Sequence, residues 1–325
     1  MAAMELAPFL DRFPGQRVVV LGDLAVDCYV DTRPARVSRE APVIVLRYEG
    51  RRYTPGCAAN TIMNLRALGA EVVPLGIVGD DEAGRSLVQS FLASGIPDTG
   101  IVVTGHSVVK IRLMSGDTHR PKQQIVRVDM EPDKAPPKDT FLQLIARAAV
   151  AEGAKGIVVS DYGYGAASPG LLRAAREVAT SALVSVDSHL SIGNFDGADL
   201  LTPNEWEAAA YMGVNVETEE DASEVASRLR QRTGAAAVLL TRGNRGMLLA
   251  DERGVHAIPI AGSTEIVDPS GAGDTVVSTA TMARLAGASH LEAAHLANLA
   301  AGISVMKAGA QPVTLDELRE AVARG

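Results

Sequence analysis

Short apolar runs alternate with amphipathic stretches along most of the 325-residue chain. Arg17 to Leu21, Val72 to Val78, Gly156 to Ser160, Leu183 to Asp187, Leu200 to Thr202 and Ala237 to Thr241 are apolar through their centres. Continuous runs of this length suit strands buried on both faces of a parallel sheet. Between them, Ala58 to Leu68, Glu82 to Ala93, Thr140 to Ala151, Pro169 to Thr180 and Ala222 to Gln231 repeat apolar positions at helical spacing. Gly271 to Ala286, Leu291 to Lys307 and Leu315 to Ala323 continue that pattern, so the last third reads as helical. The alternation predicts an α/β fold: a central, mostly parallel sheet flanked by helices, with right-handed crossovers.

Two stretches break the alternation. Tyr29 to Arg52 contains Val43-Ile44-Val45-Leu46 among polar turns, and Ile101 to Val128 contains Val108 to Leu113 and Gln124 to Val128, parted by Gly116 and Pro121. Both read as hairpin material. They predict a small β-sheet lid, built from about residues 29–54 and 101–129, on a single domain spanning residues 1–325. Pro132, Pro136 and Pro137 mark the return to the core.

Charge narrows the function classes. Lys and Arg number 31 against 39 Asp and Glu, a net charge of −8, and aromatics are 4% of the chain. This argues against a nucleic-acid binder, which needs a basic surface and stacking rings. No apolar run nears the ~18 residues of a membrane span, and Met1 to Arg12 carries Glu5 and Asp11 rather than a signal-peptide pattern. Only Cys28 and Cys57 are present, with no CxxC pair, which fits a reducing compartment. The expected location is cytoplasmic.

Three motifs carry chemistry. Asp268-Pro269-Ser270-Gly271-Ala272-Gly273-Asp274-Thr275 leads directly into a helical pattern. Free N–H groups at a helix start bind anions, and Gly271 and Gly273 allow close approach. Asp274 would repel a bound phosphate, so the pattern makes sense if its carboxylate takes a proton from a hydroxyl while the N–H groups hold a transferring phosphoryl. Taken alone, the segment reads equally well as a capped helix start. Pro55-Gly56-Cys57-Ala58-Ala59-Asn60 places small residues at another helix entrance, with Asn60 offering both donor and acceptor to a sugar hydroxyl. Gly22-Asp23 and Asp27 follow the first strand, where ligands of open α/β sheets gather and where turn chemistry also favours Asp.

Together these motifs resemble the ribokinase/PfkB family of carbohydrate kinases. The family's first signature is similar to Pro55 to Gly69 and its second to Asp268 to Ser278, and their order along the chain agrees. Within that family the chain resembles the heptose 7-phosphate kinases, the kinase half of bifunctional heptose proteins. The matching segments are Arg36 to Val43, Lys110-Ile111-Arg112, Ile125 to Asp129, Ser160-Asp161-Tyr162 and Leu200 to Glu207.

The resemblance implies a ribokinase-like fold and transfer of the γ-phosphoryl of ATP to a sugar hydroxyl, heptose 7-phosphate leading. It makes Asp274 the catalytic base, with Gly271, Ala272 and Gly273 as the anion hole. It assigns the sugar to Asp27, Gly56 and Asn60, and a substrate phosphate to Arg36, Lys110, Arg112 and Arg127. Asn204 is implied to serve the nucleotide phosphates, Glu207 to hold Mg²⁺ largely through water, and Thr241, Arg242, Gly243, Gly246 and Asn298 to line the nucleotide. Many members also use a monovalent cation such as K⁺. A homodimer joined through the lids is expected, because an open sheet edge is otherwise exposed.

Four positions depart from the usual pattern: Tyr164 and His189 stand where the heptose kinases usually carry lysines, and in the second signature Pro269 replaces a hydrophobic residue or Thr and Thr279 a small Ala or Gly. The alternatives are a ribose-, fructose- or nucleoside-type kinase and a non-catalytic sugar-binding regulator, the latter opposed by retention of Asp274 and both glycines. A Rossmann dehydrogenase is disfavoured because Gly22 lacks a GxGxxG context. None of the six histidines forms the HxGH element of a nucleotidyltransferase, so the chain reads as kinase alone.

Overall fold

The computed structural model describes residues 5–116, 122–131, 136, 138–262 and 266–324. Met1, Pro121, Pro132 and Pro137 lie outside the described residues. Helix α1 (Ala7–Leu10) precedes β1 (Arg17–Gly22), β2 (Leu24–Val37), β3 (Ile44–Cys57), α2 (Ala58–Ala67), β4 (Glu71–Val78) and α3 (Glu82–Ala93). Next come β5 (Ile101–Val103), β6 (Val108–Ser115), β7 (Gln123–Met130), α4 (Lys138–Arg147), β8 (Gly156–Asp161), α5 (Pro169–Val178) and β9 (Leu183–Ser188). The chain continues through β10 (Leu200–Leu201), α6 (Glu205–Met212), α7 (Glu219–Thr233), β11 (Ala237–Thr241), β12 (Met247–Asp251) and β13 (Gly254–Ile258). It ends with α8 (Ala272–Leu285), α9 (His290–Ser304) and α10 (Leu315–Arg324).

Nine strands form the large sheet in the order β13-β12-β11-β10-β9-β8-β1-β4-β5. All pairings are parallel except β11–β12 and β12–β13. Side chains alternate across a strand, and β1 shows the consequence. Val19 and Leu21 pack with Leu144, Leu171 and Leu229 on one face, while Val18 and Val20 pack with Ile62, Leu65, Val277 and Leu296 on the other. Both faces are buried, which is why these strands read as unbroken apolar runs.

The four-stranded second sheet has the order β3-β2-β6-β7, with β2–β6 parallel and its other pairs antiparallel. Strand β2 is buried from Leu24 to Tyr29 and exposed from Arg33 to Val37, so it is rooted in the core and projects from it.

Two features differ from the pattern-based expectation. Ile101–Val103 does not join the small sheet. It pairs parallel with β4 at the edge of the large one, because Ile101 and Val102 are both buried apolar residues. Strands β12 and β13 add an antiparallel edge around a tight turn closed by Asp251 and Gly254. The predominantly solvent-facing β13 gives no apolar run to signal it. Among the described residues, no helix is long and apolar enough to cross a membrane.

Candidate active site

The carboxyl ends of β8, β9, β10 and β11 and the start of α8 converge on two adjoining cavities, the position expected for ligands of an open α/β sheet. Gly271 caps α8 with φ +79°. That left-handed conformation suits glycine, and a Cβ there would fall 2.4 Å from Asn60 Nδ2. The third helical residue is Asp274, which is 4% exposed. Asn60 Nδ2 donates to its Oδ2 at 2.8 Å, and the hydroxyls of Thr61 and Tyr162 donate to its Oδ1 at 2.6 and 3.1 Å. Burial pushes the Asp274 carboxyl above the usual carboxylate range, while the Thr61, Asn60 and Tyr162 donors oppose the shift.

On one side of Asp274 lies a polar cleft of about 460 Å³. Asp27, Gly56, Asn60, Lys110, Arg112 and Arg127 line its acceptor wall. Arg112 binds Asp27 through Nη2 at 2.8 Å and Nε at 3.0 Å, a largely buried pair whose rigidity suits it to orient hydroxyls. Gly56 lies across from β2, and a Cβ there would approach Asp27 Oδ2 to 2.9 Å. Lys110 rests its Nζ 2.9 Å from Cys57 Sγ and 5.1 Å from the Tyr162 ring centre. The Cys57 thiol is pushed up to about 12 by burial, so it meets Lys110 uncharged. Arg127 forks onto Asp129 at 2.7 and 2.6 Å.

Arg36 is not brought to this wall. It lies nine residues beyond Asp27 on β2, exposed. At ~3.3 Å per residue the separation along the strand is roughly 30 Å. Replacing Arg36 with Ala should leave the acceptor KM within about twofold, whereas Arg112→Ala, which strips the buried Asp27 of its partner, should raise it at least tenfold. Initial-rate kinetics on both variants check this.

The opposite wall carries Asp187, His189, Asn204, Glu207 and Thr241. Asn204 caps α6 and forms a reciprocal box with Glu207: each backbone N–H donates to the other's side-chain oxygen at 2.8 Å. Glu207 Oε1 also pairs with His189 Nδ1. Asp187 is pushed up to about 7 by burial and by the neighbouring Glu207 charge. Burial works against a charge on His189, but Glu207 and Asp187 outweigh it and raise its pKa. A buried Asp187 carboxyl held beside the buried Glu207 carboxylate makes a site with room for positive charge. Their oxygen chemistry fits a hydrated Mg²⁺, which needs only one or two carboxylates.

The second cavity is a narrower, mostly apolar slot of about 140 Å³. Thr241, Gly243, Gly246, Ala272, Gly273 and Asn298 line it with Met247, Val276 and Val305. Asn298 is fixed by donating from Nδ2 to the Pro259 carbonyl at 2.7 Å. Arg242 is absent from both cavities. Its buried guanidinium turns to Glu205 at 2.9 Å and Glu219 at 3.7 Å, tying β11 to α6 and α7. Thr241 and Gly273 border both cavities, so Asp274 sits beside their junction.

Sequence reasoning missed Thr61 and Tyr162 as partners of Asp274. It flagged Asp23 only as a turn or ligand residue. Asp23 is 1% exposed and accepts from the backbone N–H groups of Tyr162, Tyr164 and Ala166 at 2.9, 3.0 and 2.8 Å. It anchors the loop that delivers Tyr162. The Gly22-Asp23 pair at a strand end was the available signal.

Comparisons with known proteins agree with this geometry. Residues 16–317 match the family described as pfkB family carbohydrate kinase. The chain is 40% identical over 321 residues to the "Bifunctional protein HldE" of Caulobacter sp. (strain K31), covering 96% of this chain and 64% of that protein. It is 39% identical over 322 residues to the protein of the same name from Caulobacter vibrioides, covering 96% and 65%. The chain therefore spans just under two thirds of the length of these relatives. Phosphofructokinase-2 from Escherichia coli, in complex with potassium, superposes with TM-score 0.77 at 18% identity, covering 95% of this chain and 99% of that one. Ribokinase of Arabidopsis thaliana, complexed with ribose and ATP, gives TM-score 0.72 at 18% identity over the same shares. The fold is ribokinase-like, and with the family pattern running through both cavities the chain belongs to the pfkB family of carbohydrate kinases.

Proposed function

We propose that the chain transfers the γ-phosphoryl of ATP to a hydroxyl of a phosphorylated sugar, heptose 7-phosphate being the leading acceptor. The observation that carries this reading is the place of Asp274: buried, held by three donors, and beside the junction of a polar and an apolar cavity. The sugar lies in the polar cleft against Asp27, Asn60, Arg112 and Lys110. The nucleotide base lies in the slot beside Asn298. Asp274 takes the proton of the acceptor hydroxyl as its oxygen bonds to the γ-phosphorus and the bond to the ADP oxygen breaks. The N–H groups at the start of α8 hold the phosphoryl oxygens. Positioning and charge neutralisation do most of the work in such a reaction.

Asp187 and Glu207 would hold Mg²⁺ largely through water, and when bound it supplies neutralising charge to the nucleotide phosphates. A monovalent cation such as K⁺ near the glycine-rich segment is proposed by likeness to the potassium-bound phosphofructokinase-2. Exposed Ile44, Tyr48, Val128 and Met130 on the small sheet suit a homodimer joined through that sheet. A cytoplasmic location follows from dependence on ATP.

The basic cluster Lys110, Arg112 and Arg127 supports a phosphorylated acceptor over a free sugar, as do the HldE relatives. A panel of free sugars, sugar phosphates and nucleosides, read by ADP release, tests the assignment. The expected result is a kcat/KM for heptose 7-phosphate at least about 100-fold above that for ribose, fructose or adenosine, two lost charge-assisted contacts accounting for such a ratio. Preference for an unphosphorylated sugar overturns it.

A further inference from the structure

We propose that Tyr162 is a positioning residue for phosphoryl transfer, its hydroxyl fixing the Asp274 carboxylate so that Oδ2 is the oxygen that receives the proton. The inference rests on the reading of Asp274 as base and goes beyond it.

The three donors on Asp274 come from two elements. Asn60 and Thr61 are consecutive residues of α2 and supply one donor to each carboxylate oxygen. Tyr162 comes from the loop after β8 and adds a second donor to Oδ1. A carboxylate oxygen offers two lone pairs in its plane. Two hydroxyls fill those of Oδ1, while Oδ2 carries only the Asn60 amide and keeps an accepting position. Because Tyr162 reaches the carboxylate from the loop after β8, an element other than α2, its hydroxyl adds a second anchor against rotation of the group about its own axis.

The phenol is itself fixed. Its backbone N–H donates to Asp23 at 2.9 Å, and the same carboxylate accepts from Tyr164 and Ala166. The ring centre lies 4.4 Å from that of His189 and 5.1 Å from Lys110 Nζ, so it spans from the acceptor wall to the histidine that pairs with Glu207. Burial pushes the phenol well above its ordinary pKa, which keeps it a donor throughout the working pH range. The other titratable groups that act on Asp274 or feel its charge are His189 and Asp187 from β9 and the loop after it, and Cys57 at the start of α2.

Tyr162→Phe keeps the ring and removes only the hydroxyl. The expected result is a kcat lower by about tenfold, the size of one hydrogen bond to a charged group, with the KM for ATP unchanged within twofold. The donor stabilises the charged carboxylate, so its loss raises the Asp274 pKa, leaves the base protonated over a wider range, and moves the acid limb of the kcat–pH profile to higher pH. An unchanged kcat, or a lower kcat with an unmoved acid limb, overturns the proposal. Asp274→Asn separates the two readings: if that variant still turns over, the base assignment fails, whereas an inactive Asp274→Asn beside a wild-type-like Tyr162→Phe rejects the role of Tyr162 alone.

Discussion

Asp274→Asn is expected to lower kcat by about 10²–10⁴-fold, the range for losing a positioned general base, while ATP still binds. The substitution is nearly isosteric and removes the charge that accepts the proton. Nothing in the apolar slot around Asn298 and Met247 depends on that charge, so nucleotide affinity should hold within a few-fold. Stability should change little or rise, because the wild-type carboxylate is buried and burial is the dominant influence on it. The sign follows from the native pKa being raised. The unfolded carboxyl releases its proton more readily, so the contribution of Asp274 to stability falls as pH rises through the carboxylate range, and the Asn variant should gain on the wild type over that range. Single-turnover kinetics, nucleotide titration and denaturation at two pH values check the three parts. Near-normal turnover would remove the assigned mechanism.

Gly271→Ala is the second change with a large expected effect. The added Cβ would fall 2.4 Å from Asn60 Nδ2 and 3.0 Å from Ala310 Cβ, at φ +79°. A left-handed Ala costs about 1–2 kcal/mol, and the contacts cannot be relieved by a flexible side-chain end, because Asn60 is tied to Asp274 and packed beside Asn64. Either Asn60 leaves Oδ2 or the start of α8 shifts away from the phosphoryl position. Both displace a catalytic contact, and kcat should fall by about 10²–10³-fold, as for loss of one anion-hole donor, with a measurable drop in Tm. Gly273→Ala is the internal control. Its Cβ would meet nothing within 4 Å, so the fold should tolerate it even though the residue borders the site.

The large sheet was legible because β1, β4 and β8 are buried on both faces and carry that fact as continuous apolar residues. The start of α8 was legible because Gly271, Gly273 and Asp274 are adjacent in sequence. Strand pairing in the small sheet was not. The parallel partnership of β2 with β6 joins Ala25 to Val108, and no local pattern specifies so distant a neighbour. Distance along a strand also decided which arginine reaches the cleft. Arg36 and Arg112 look alike in sequence, yet only Arg112 lies where β6 passes Asp27. Arg242 sits within a nucleotide-loop motif, but its side chain leaves the slot for Glu205. Thr61 and Tyr162 belong to no short motif with Asp274. Chain separations of 213 and 112 residues put their hydroxyls beyond the reach of spacing arguments.

The measurement that bears most directly on the central claim follows the label from γ-phosphate-labelled ATP incubated with the protein, Mg²⁺ and heptose 7-phosphate. The account predicts that label appears in a heptose bisphosphate, in a one-to-one ratio with ADP formed, and that none appears with Asp274→Asn. Label found only in inorganic phosphate, or in free sugars but not in the sugar phosphate, would contradict it.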